Sequence, residues 1–161
     1  MPEALYPVCG TEPRRLAIAA RPRGGDWLLD DLTALCRAGV EVLVSLLEPA
    51  EARELGLAEE ADLCARVGIE FVSLPVPDYG LPDSALRFAA KLRPLAFDGR
   101  FIAAHCRAGI GRSPLLIGCL LVLRGVEPEE AWRRLAEARG RPVPDTEAQR
   151  AWLAAFQRVV G

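Results

Sequence analysis

A cysteine, a histidine, a serine and two arginines stand close together in one short segment, HCRAGIGRS, at residues 105–113. A cysteine thiolate is a strong nucleophile, and a guanidinium forms two parallel hydrogen bonds with a phosphate. Gly109 and Gly111 permit backbone conformations that other residues avoid, so that neighbouring amide N–H groups can turn toward one point. The segment therefore predicts a cup of hydrogen-bond donors that binds a phosphoryl group, or a similar anion such as sulfate, beside Cys106.

This segment is predicted to connect a strand to a helix. The preceding residues, RFIAAH, are typical of a buried strand, and an apolar helix follows from Arg112. The positive end of that helix adds to the field of the N–H groups, and this field favours the thiolate form of Cys106. Arg112 can hold two phosphoryl oxygens with its planar fork. The positions predicted to bind the anion are Arg107, Ala108, Gly109, Ile110, Gly111 and Arg112.

An inert, buried thiol is the alternative explanation for Cys106, because cysteine is among the residue types most often buried. For a lone cysteine that explanation is the better one. Here a strand end, His105, two loop glycines, Arg112 and a following helix occur together. This combination favours a nucleophile.

Strand-like and helix-like segments alternate along the chain. Strands are predicted at residues 15–20, 40–47, 69–76 and 100–105. Helices are predicted at residues 27–38, 51–67, 82–96, 112–124, 128–138 and 146–159. The alternation predicts a single α/β domain over residues 1–161, with a mainly parallel central sheet flanked by helices on both faces. Ligands of such sheets bind beyond the carboxyl ends of the strands, where the cysteine segment lies.

Composition and charge disfavour several function classes. The 161 residues are 51% hydrophobic and 26% charged, which is typical of one globular domain. The net charge of −2 gives no support for a nucleic-acid partner. Five cysteines without C-x-x-C spacing predict neither a disulfide framework nor a metal site. The sequence shows no secretory signal and no apolar run long enough for membrane insertion, so we expect a cytoplasmic protein.

The segment HCRAGIGRS resembles the H-C-x5-R-[ST] signature of the cysteine-dependent protein tyrosine phosphatase superfamily. Two more stretches are similar to small dual-specificity members: GVEVLVSLLEPAE (39–51) and the general-acid loop GIEFVSLPVPDYGLPD (68–83). The resemblance covers roughly residues 15–157. It implies the protein tyrosine phosphatase-like fold and hydrolysis of phosphate monoesters with no metal and no organic cofactor.

The resemblance also implies a role for each motif residue. Cys106 corresponds to the nucleophile that forms a phosphocysteine intermediate. Arg112 corresponds to the residue that binds the phosphoryl oxygens and stabilises the transition state. Ser113 corresponds to the hydroxyl that helps the cysteine to leave. His105 resembles the histidine that organises the loop and supports the thiolate, although an ordinary hydrogen-bonded core histidine would make nearly the same contacts.

A leaving alcohol or phenol needs a proton, and Asp78 is the predicted donor. Asp78 follows a predicted strand, and the resemblance aligns it with the family's general acid. The loop around it is flanked by Pro77 and Pro82 and can close over a substrate to exclude water. Asp83 is the rival acid, but Pro82 and Asp83 are typical of the first turn of a helix, where an acid serves the helix dipole. Asp78 is therefore favoured.

Gln149 supports two interpretations. The stretch DTEAQRAW resembles the segment of tyrosine-specific phosphatases in which a glutamine positions the hydrolytic water. Thr146 and Gln149 also have the spacing of a helix capping box. Both interpretations stay open.

The resemblance implies that the substrate is a phosphorylated protein or peptide. Phosphotyrosine is favoured, with phosphoserine and phosphothreonine included because the Asn-Arg-Tyr loop of the larger tyrosine-specific enzymes is missing. A phosphoinositide phosphatase is the alternative: Arg107 fits it, whereas Ile110 stands where a second lysine is expected. A rhodanese-like sulfurtransferase or a non-catalytic phosphate-binding module is a remoter alternative, since neither requires Asp78 together with Ser113.

Overall fold

A five-stranded sheet forms the centre of the molecule. The computed structural model describes residues 5–161, and within them the strand order is β1-β2-β5-β3-β4. Only the pairing of β1 with β2 is antiparallel, which confirms the mainly parallel sheet. The strands are β1 (Leu5–Pro7), β2 (Leu16–Ala19), β3 (Val42–Ser45), β4 (Glu70–Ser73) and β5 (Ile102–His105).

Helices cover both faces of the sheet, as the alternating sequence predicts. Side chains of β3 alternate between the two faces: Val42 and Val44 join one core, and Leu43 joins the other. The first core includes side chains of α4 to α7, and the second includes side chains of α1 and α3. The helices are α1 (Leu28–Arg37), α2 (Pro49–Glu54), α3 (Glu60–Val67), α4 (Ala85–Ala96), α5 (Arg112–Leu123), α6 (Pro128–Arg139) and α7 (Glu147–Val160).

The predicted helix at 51–67 is wrong, because the structure contains two helices there. α2 ends at Glu54, and the chain passes through Gly56 at φ +74° before α3 begins. The N–H of Gly25 donates to the carbonyl of Gly56 at 3.1 Å, and a side chain on Gly24 would overlap the backbone at Leu55. This close approach of two backbone segments interrupts the helix.

Two further differences concern the ends of elements. β1 was not predicted; it is a three-residue edge strand, too short to show a period. The predicted helix from Pro82 begins instead at Ala85, after Ser84, whose hydroxyl accepts a hydrogen bond from the N–H of Arg87. Asp83 therefore lies before the helix and not in its first turn. The other predicted helices agree with the structure to within two residues.

The carboxyl ends of the parallel strands β3, β4 and β5 lie on the same side of the sheet. β5 lies between β2 and β3, with His105 opposite Ser45 of β3. Residues 106–111, here called the cysteine loop, lead from β5 into α5, and residues 77–82, the acid loop, follow β4. No helix in residues 5–161 is long and apolar enough to cross a membrane.

Candidate active site

The cysteine loop wraps around the sulfur of Cys106. The N–H of Gly109 donates to Sγ at 3.3 Å, and the hydroxyl oxygen of Ser113 lies 3.2 Å from Sγ. The thiol is buried, with 3% of Cys106 exposed, at the base of the loop. Ile110 of the same loop packs against the first core. The structure therefore brings together the predicted nucleophile and the hydroxyl predicted to assist it.

Two arginines from elsewhere in the chain donate to carbonyl groups of this loop. Arg139, at the end of α6, donates from Nε to the carbonyl of Gly109 at 3.1 Å and from Nη2 to that of Ala108 at 3.2 Å. Arg21 donates to the carbonyl of Arg107 at 3.4 Å. Because these arginines bind the carbonyl oxygens of the loop, the amide N–H groups of the loop remain available to bind an anion. The sequence analysis missed both arginines.

The two loop glycines are required for different reasons. Gly109 has φ +74°, a left-handed conformation that favours glycine. Gly111 has φ −128°, which other residues also adopt, but a Cβ there would overlap the carboxylate of Asp145 and crowd the amide of Gln149. Burial, followed by the negative charge of Asp78, raises the pKa of Asp145. Asp145 is a second acid beside the loop that the sequence analysis missed.

Arg112 is almost fully buried and already bonded to two carboxylates. Its Nη1 and Nη2 atoms donate to the two carboxylate oxygens of Glu51 at 2.8 and 2.9 Å. Nη1 also donates to the carbonyl of Val76 at 2.7 Å, and Nη2 to Asp78 at 3.0 Å. Burial opposes the positive charge, but the surrounding negative groups raise the pKa of Arg112 overall. The Nη1–Nη2 edge of the guanidinium is thus fixed by Glu51.

Glu51 is a functional candidate that the sequence analysis missed. It lies in the first turn of α2, where it also accepts hydrogen bonds from the N–H of Glu48 and from Nε of Arg107. The hydrogen bonds from Arg112 lower the pKa of Glu51 to about 2. In the sequence, Glu51 ends the stretch GVEVLVSLLEPAE and lies shortly after β3, the strand beside β5.

We expect Glu51→Gln to lower kcat/KM by roughly 10- to 100-fold, because an amide replaces two charged acceptors and Arg112 moves within the site. Activity on p-nitrophenyl phosphate measures this loss, and the melting temperature shows whether the variant is still folded. The ion pair of Glu51 with Arg112 contributes its full stabilisation of the folded state above pH 4.5, and this stabilisation is lost as the pH falls toward about 2. The control is Glu54→Gln, an exposed partner of Arg107 at 3.5 Å. Equal activities of the two variants would contradict the assignment.

Asp78, and not Asp83, reaches this cluster. Its carboxylate accepts from Arg112 and lies 3.8 Å from Nε of Arg107. Tyr79 follows at φ +57°, and the N–H of Tyr79 donates to the Asp78 carboxylate at 3.1 Å. The Asp83 side chain is 84% exposed and pairs with Arg87 at 3.6 Å. The geometry thus favours Asp78 over its rival.

Gln149 forms the predicted capping box with Thr146. Its side-chain oxygen accepts from the Thr146 N–H at 3.2 Å, and its own N–H bonds to the Thr146 hydroxyl at 3.1 Å. The side-chain Nε2 donates to the carbonyl of Gly80 at 3.4 Å, so the buried amide also connects α7 to the acid loop. A role in positioning water stays a prediction.

His105 is fully buried between the cysteine loop and the carboxylate of Glu60. Its Nδ1 lies 3.3 Å from the carbonyl oxygen of Cys106, and its Nε2 lies 2.6 Å from a carboxylate oxygen of Glu60. Glu60 is the first residue of α3 and is 2% exposed. The sequence analysis missed Glu60, since an acid in a first helical turn is ordinarily exposed.

Two other buried cysteines differ from Cys106 in their surroundings. Burial raises the pKa of Cys119 well above its ordinary value. Burial, with the negative charge of Glu60, raises the pKa of Cys64 to about 12. Both therefore stay as neutral thiols.

Comparison with family models gives a match over residues 11–157 to "PTP-SAK: Swiss Army Knife protein, DSP-PTPase phosphatase domain". Protein tyrosine phosphatase domain-containing protein 1 of Danio rerio is 27% identical over 122 residues, which are 60% of this chain and 17% of that protein. Cyclin-dependent kinase inhibitor 3 of Rattus norvegicus is 28% identical over 131 residues, or 79% of this chain and 62% of that protein. The chain thus spans less than two thirds of each relative's length.

Solved structures share the fold. Kinase associated phosphatase, with its catalytic-site cysteine replaced by serine, is 22% identical with a TM-score of 0.84, covering 99% of this chain and 97% of the other. Tk-PTP in its active form is 24% identical with a TM-score of 0.78, covering 98% and 99%. PTPMT1 in complex with PI(5)P is 21% identical with a TM-score of 0.72, covering 90% and 91%. These likenesses agree with the fold expected from the sequence.

Proposed function

This chain belongs to the PTP-SAK family of DSP-PTPase phosphatase domains, and we propose that it hydrolyses phosphotyrosine in proteins through a phosphocysteine intermediate. Phosphoserine and phosphothreonine are proposed as further substrates. One observation carries the proposal. The buried sulfur of Cys106 lies at the base of a loop that also leads to Arg112, and Asp78 is bonded to that same arginine.

The first half of the reaction transfers the phosphoryl group to sulfur. The amide N–H groups of the cysteine loop bind the phosphoryl oxygens. Arg112 binds them too, through its Nε and Nη2 atoms, because Glu51 occupies only the edge formed by Nη1 and Nη2. For this the substrate displaces Asp78 from Nη2. The Cys106 thiolate attacks phosphorus as the bond from phosphorus to the leaving oxygen breaks. Asp78, displaced and protonated, gives its proton to that oxygen. The products are a phosphocysteine and the free alcohol or phenol.

The second half of the reaction releases phosphate. A water oxygen attacks phosphorus, the sulfur–phosphorus bond breaks, and the proton of the water passes to the Asp78 carboxylate. Sulfur leaves as a thiolate. Ser113, whose oxygen lies 3.2 Å from Sγ, donates a hydrogen bond to the departing sulfur. Gln149 remains the candidate for positioning the water from the start of α7.

A phosphoinositide is the second candidate substrate, because the side chain of Arg107 in the cysteine loop is 38% exposed. However, Arg107 donates to Glu51 at 3.2 Å and to Glu54 at 3.5 Å, so its charge is paired with acids. A second phosphate group would have to compete with both. This pairing supports a substrate with a single phosphoryl group.

The test is to assay the purified chain on p-nitrophenyl phosphate in the presence of EDTA, and then on matched phosphopeptides and phosphoinositide vesicles. We expect phosphate release from p-nitrophenyl phosphate, with kcat/KM on phosphotyrosine peptides at least about 10-fold above that on phosphoserine peptides and lipids. Highest activity on the vesicles would favour the second candidate. Binding of phosphate without turnover would favour a non-catalytic module, and transfer of sulfur from thiosulfate to cyanide would favour a sulfurtransferase.

A further inference from the structure

Asp145 lies against the cysteine loop and has no part in the reaction described above. It belongs to the connection between α6 and α7, and its Oδ2 atom comes so close to Gly111 that a Cβ there would overlap it. Gly111 is the residue of the loop directly before Arg112. The missing side chain at Gly111 therefore lets a carboxylate approach the backbone of the predicted anion cup.

The carboxylate of Asp145 is available to accept a hydrogen bond from water. The residue as a whole is exposed, and no donor within residues 5–161 is bonded to its carboxylate. Partial burial against the loop, followed by the negative charge of Asp78, raises the pKa of Asp145, and the charges of Arg112 and Arg141 oppose this rise. Asp145 is thus within electrostatic reach of both the proposed proton donor and the proposed phosphoryl-binding arginine.

Gln149, the residue that the sequence offers for positioning the hydrolytic water, already uses both ends of its side-chain amide. The oxygen accepts from the N–H of Thr146 at 3.2 Å, and Nε2 donates to the carbonyl of Gly80 at 3.4 Å. Gln149 is also 0% exposed. Its oxygen would have to leave the capping box before it could hold a water. The carboxylate of Asp145, on the same side of Gly111, needs no such rearrangement.

We propose that Asp145 is a catalytic residue of the second half of the reaction, in which its carboxylate holds the hydrolytic water. The inference rests on the proposed function, because it concerns the hydrolysis of that function's phosphocysteine. The water donates one hydrogen to Asp145 and the other to Asp78. Its oxygen attacks phosphorus, the sulfur–phosphorus bond breaks, and Cys106 leaves as a thiolate. The proton facing Asp78 passes to that carboxylate, and the other hydrogen stays on the released phosphate.

The contribution of Asp145 is to orient the water. A water molecule held by two carboxylates presents a lone pair to phosphorus, whereas a water held at one point samples many other orientations. The carboxylate also repels the phosphoryl oxygens, but the loop N–H groups and the charge of Arg112 offset this repulsion. Formation of the phosphocysteine needs no water, so Asp145 affects the second half of the reaction and not the first.

The test measures the two halves separately in Asp145→Ala. Rapid mixing with p-nitrophenyl phosphate gives the rate of the first release of p-nitrophenol, which reports formation of the phosphocysteine. A denaturing quench with ³²P-labelled substrate gives the fraction of protein present as phosphocysteine in the steady state, and kcat divided by this fraction is the rate constant of its hydrolysis. We expect that rate constant to fall roughly 10-fold or more, while the first release changes by less than about 2-fold.

The matched control is Glu147→Ala, which removes an exposed acid two residues further along, in the first turn of α7. We expect both halves of the reaction to stay unchanged in this variant. Asp145→Asn keeps the size of the side chain and an oxygen that can accept from water, so it is expected to hydrolyse the phosphocysteine faster than Asp145→Ala. If Asp145→Ala does not fold, Asp145→Asn carries the same test with a smaller expected fall.

Three outcomes would overturn the inference alone, in a protein that still hydrolyses phosphate esters. The first is an unchanged rate of hydrolysis in Asp145→Ala. The second is a loss confined to the first release, which would make Asp145 only an electrostatic neighbour of Asp78. The third is slower hydrolysis in Gln149→Ala but not in Asp145→Ala, which would assign the water to Gln149. An unmodified protein that forms no phosphocysteine would overturn the proposed function and this inference together.

Discussion

We expect Cys106→Ser to lower kcat by roughly 10⁴-fold or more and to leave the affinity for inorganic phosphate nearly unchanged, as the proposed covalent mechanism requires. A serine hydroxyl at this position is neither ionised nor placed beside a base, so it does not replace the thiolate as nucleophile. We expect the binding groups to remain, because a serine oxygen can accept from the N–H of Gly109 as the sulfur does, and Arg112 is held by Glu51. Phosphate release measures the first effect, and calorimetric titration with phosphate measures the second.

The matched control is Cys36→Ser, which changes another thiol to a hydroxyl. The Cys36 sulfur donates to the carbonyl of Val67 at 3.1 Å, and a serine hydroxyl can donate in the same way. We expect this variant to keep normal activity. If Cys106→Ser retained a substantial fraction of activity, the covalent mechanism would be wrong. Loss of phosphate binding in Cys106→Ser would show instead that the sulfur is needed to shape the loop.

The nucleophile and its loop are predictable from sequence because their chemistry is local. Residues 105–113 run from a strand end through two glycines to a helix start, and each step is visible in the residue types. Asp78 is predictable for a similar reason, since it follows a recognisable strand in a loop flanked by prolines. In each case the residues that define the feature are neighbours in the chain.

The supporting acids are not predictable in this way, because their role depends on tertiary packing. Glu51 and Glu60 each lie in the first turn of a helix, where an acid commonly interacts with the helix dipole in solvent. Only the fold shows that one is bonded to Arg112 and the other to His105. Arg139, on α6, is likewise assigned to the cysteine loop only by the packing of α6 beside it.

The break between α2 and α3 is also not predictable from the sequence, because it too depends on tertiary packing. Leu55 and Leu57 continue the apolar pattern on either side of Gly56, so residues 51–67 resemble one helix. A single glycine within a helical pattern costs only about 1 kcal/mol, which is too little to predict a break. The break depends on the contact between Gly56 and the backbone at Gly24 and Gly25, far away in sequence.

Asp78→Asn tests the second half of the proposed machinery, and we expect it to lower kcat by roughly 10² to 10⁴-fold. The amide keeps the size of the side chain but has no proton to give to the leaving oxygen. The loss is expected to be largest for alkyl phosphates, whose alkoxides leave poorly, and smallest for p-nitrophenyl phosphate. Phosphate affinity is expected to be kept or improved, because the carboxylate that occupies Nη2 of Arg112 is gone.

The pH profile gives an independent measure of the same residue, because the reaction needs Cys106 ionised and Asp78 protonated at once. In the unmodified protein kcat/KM is therefore expected to follow a bell against pH, and Asp78→Asn is expected to remove the alkaline limb. Asp83→Asn is the control: its carboxylate is exposed and paired with Arg87, so both the limb and the leaving-group dependence are expected to stay. If the two variants exchanged phenotypes, Asp83 would be the acid. The contact between Asp78 and Arg112 would then have no catalytic role, and the acid loop would have to rearrange on substrate binding to bring Asp83 to the leaving oxygen.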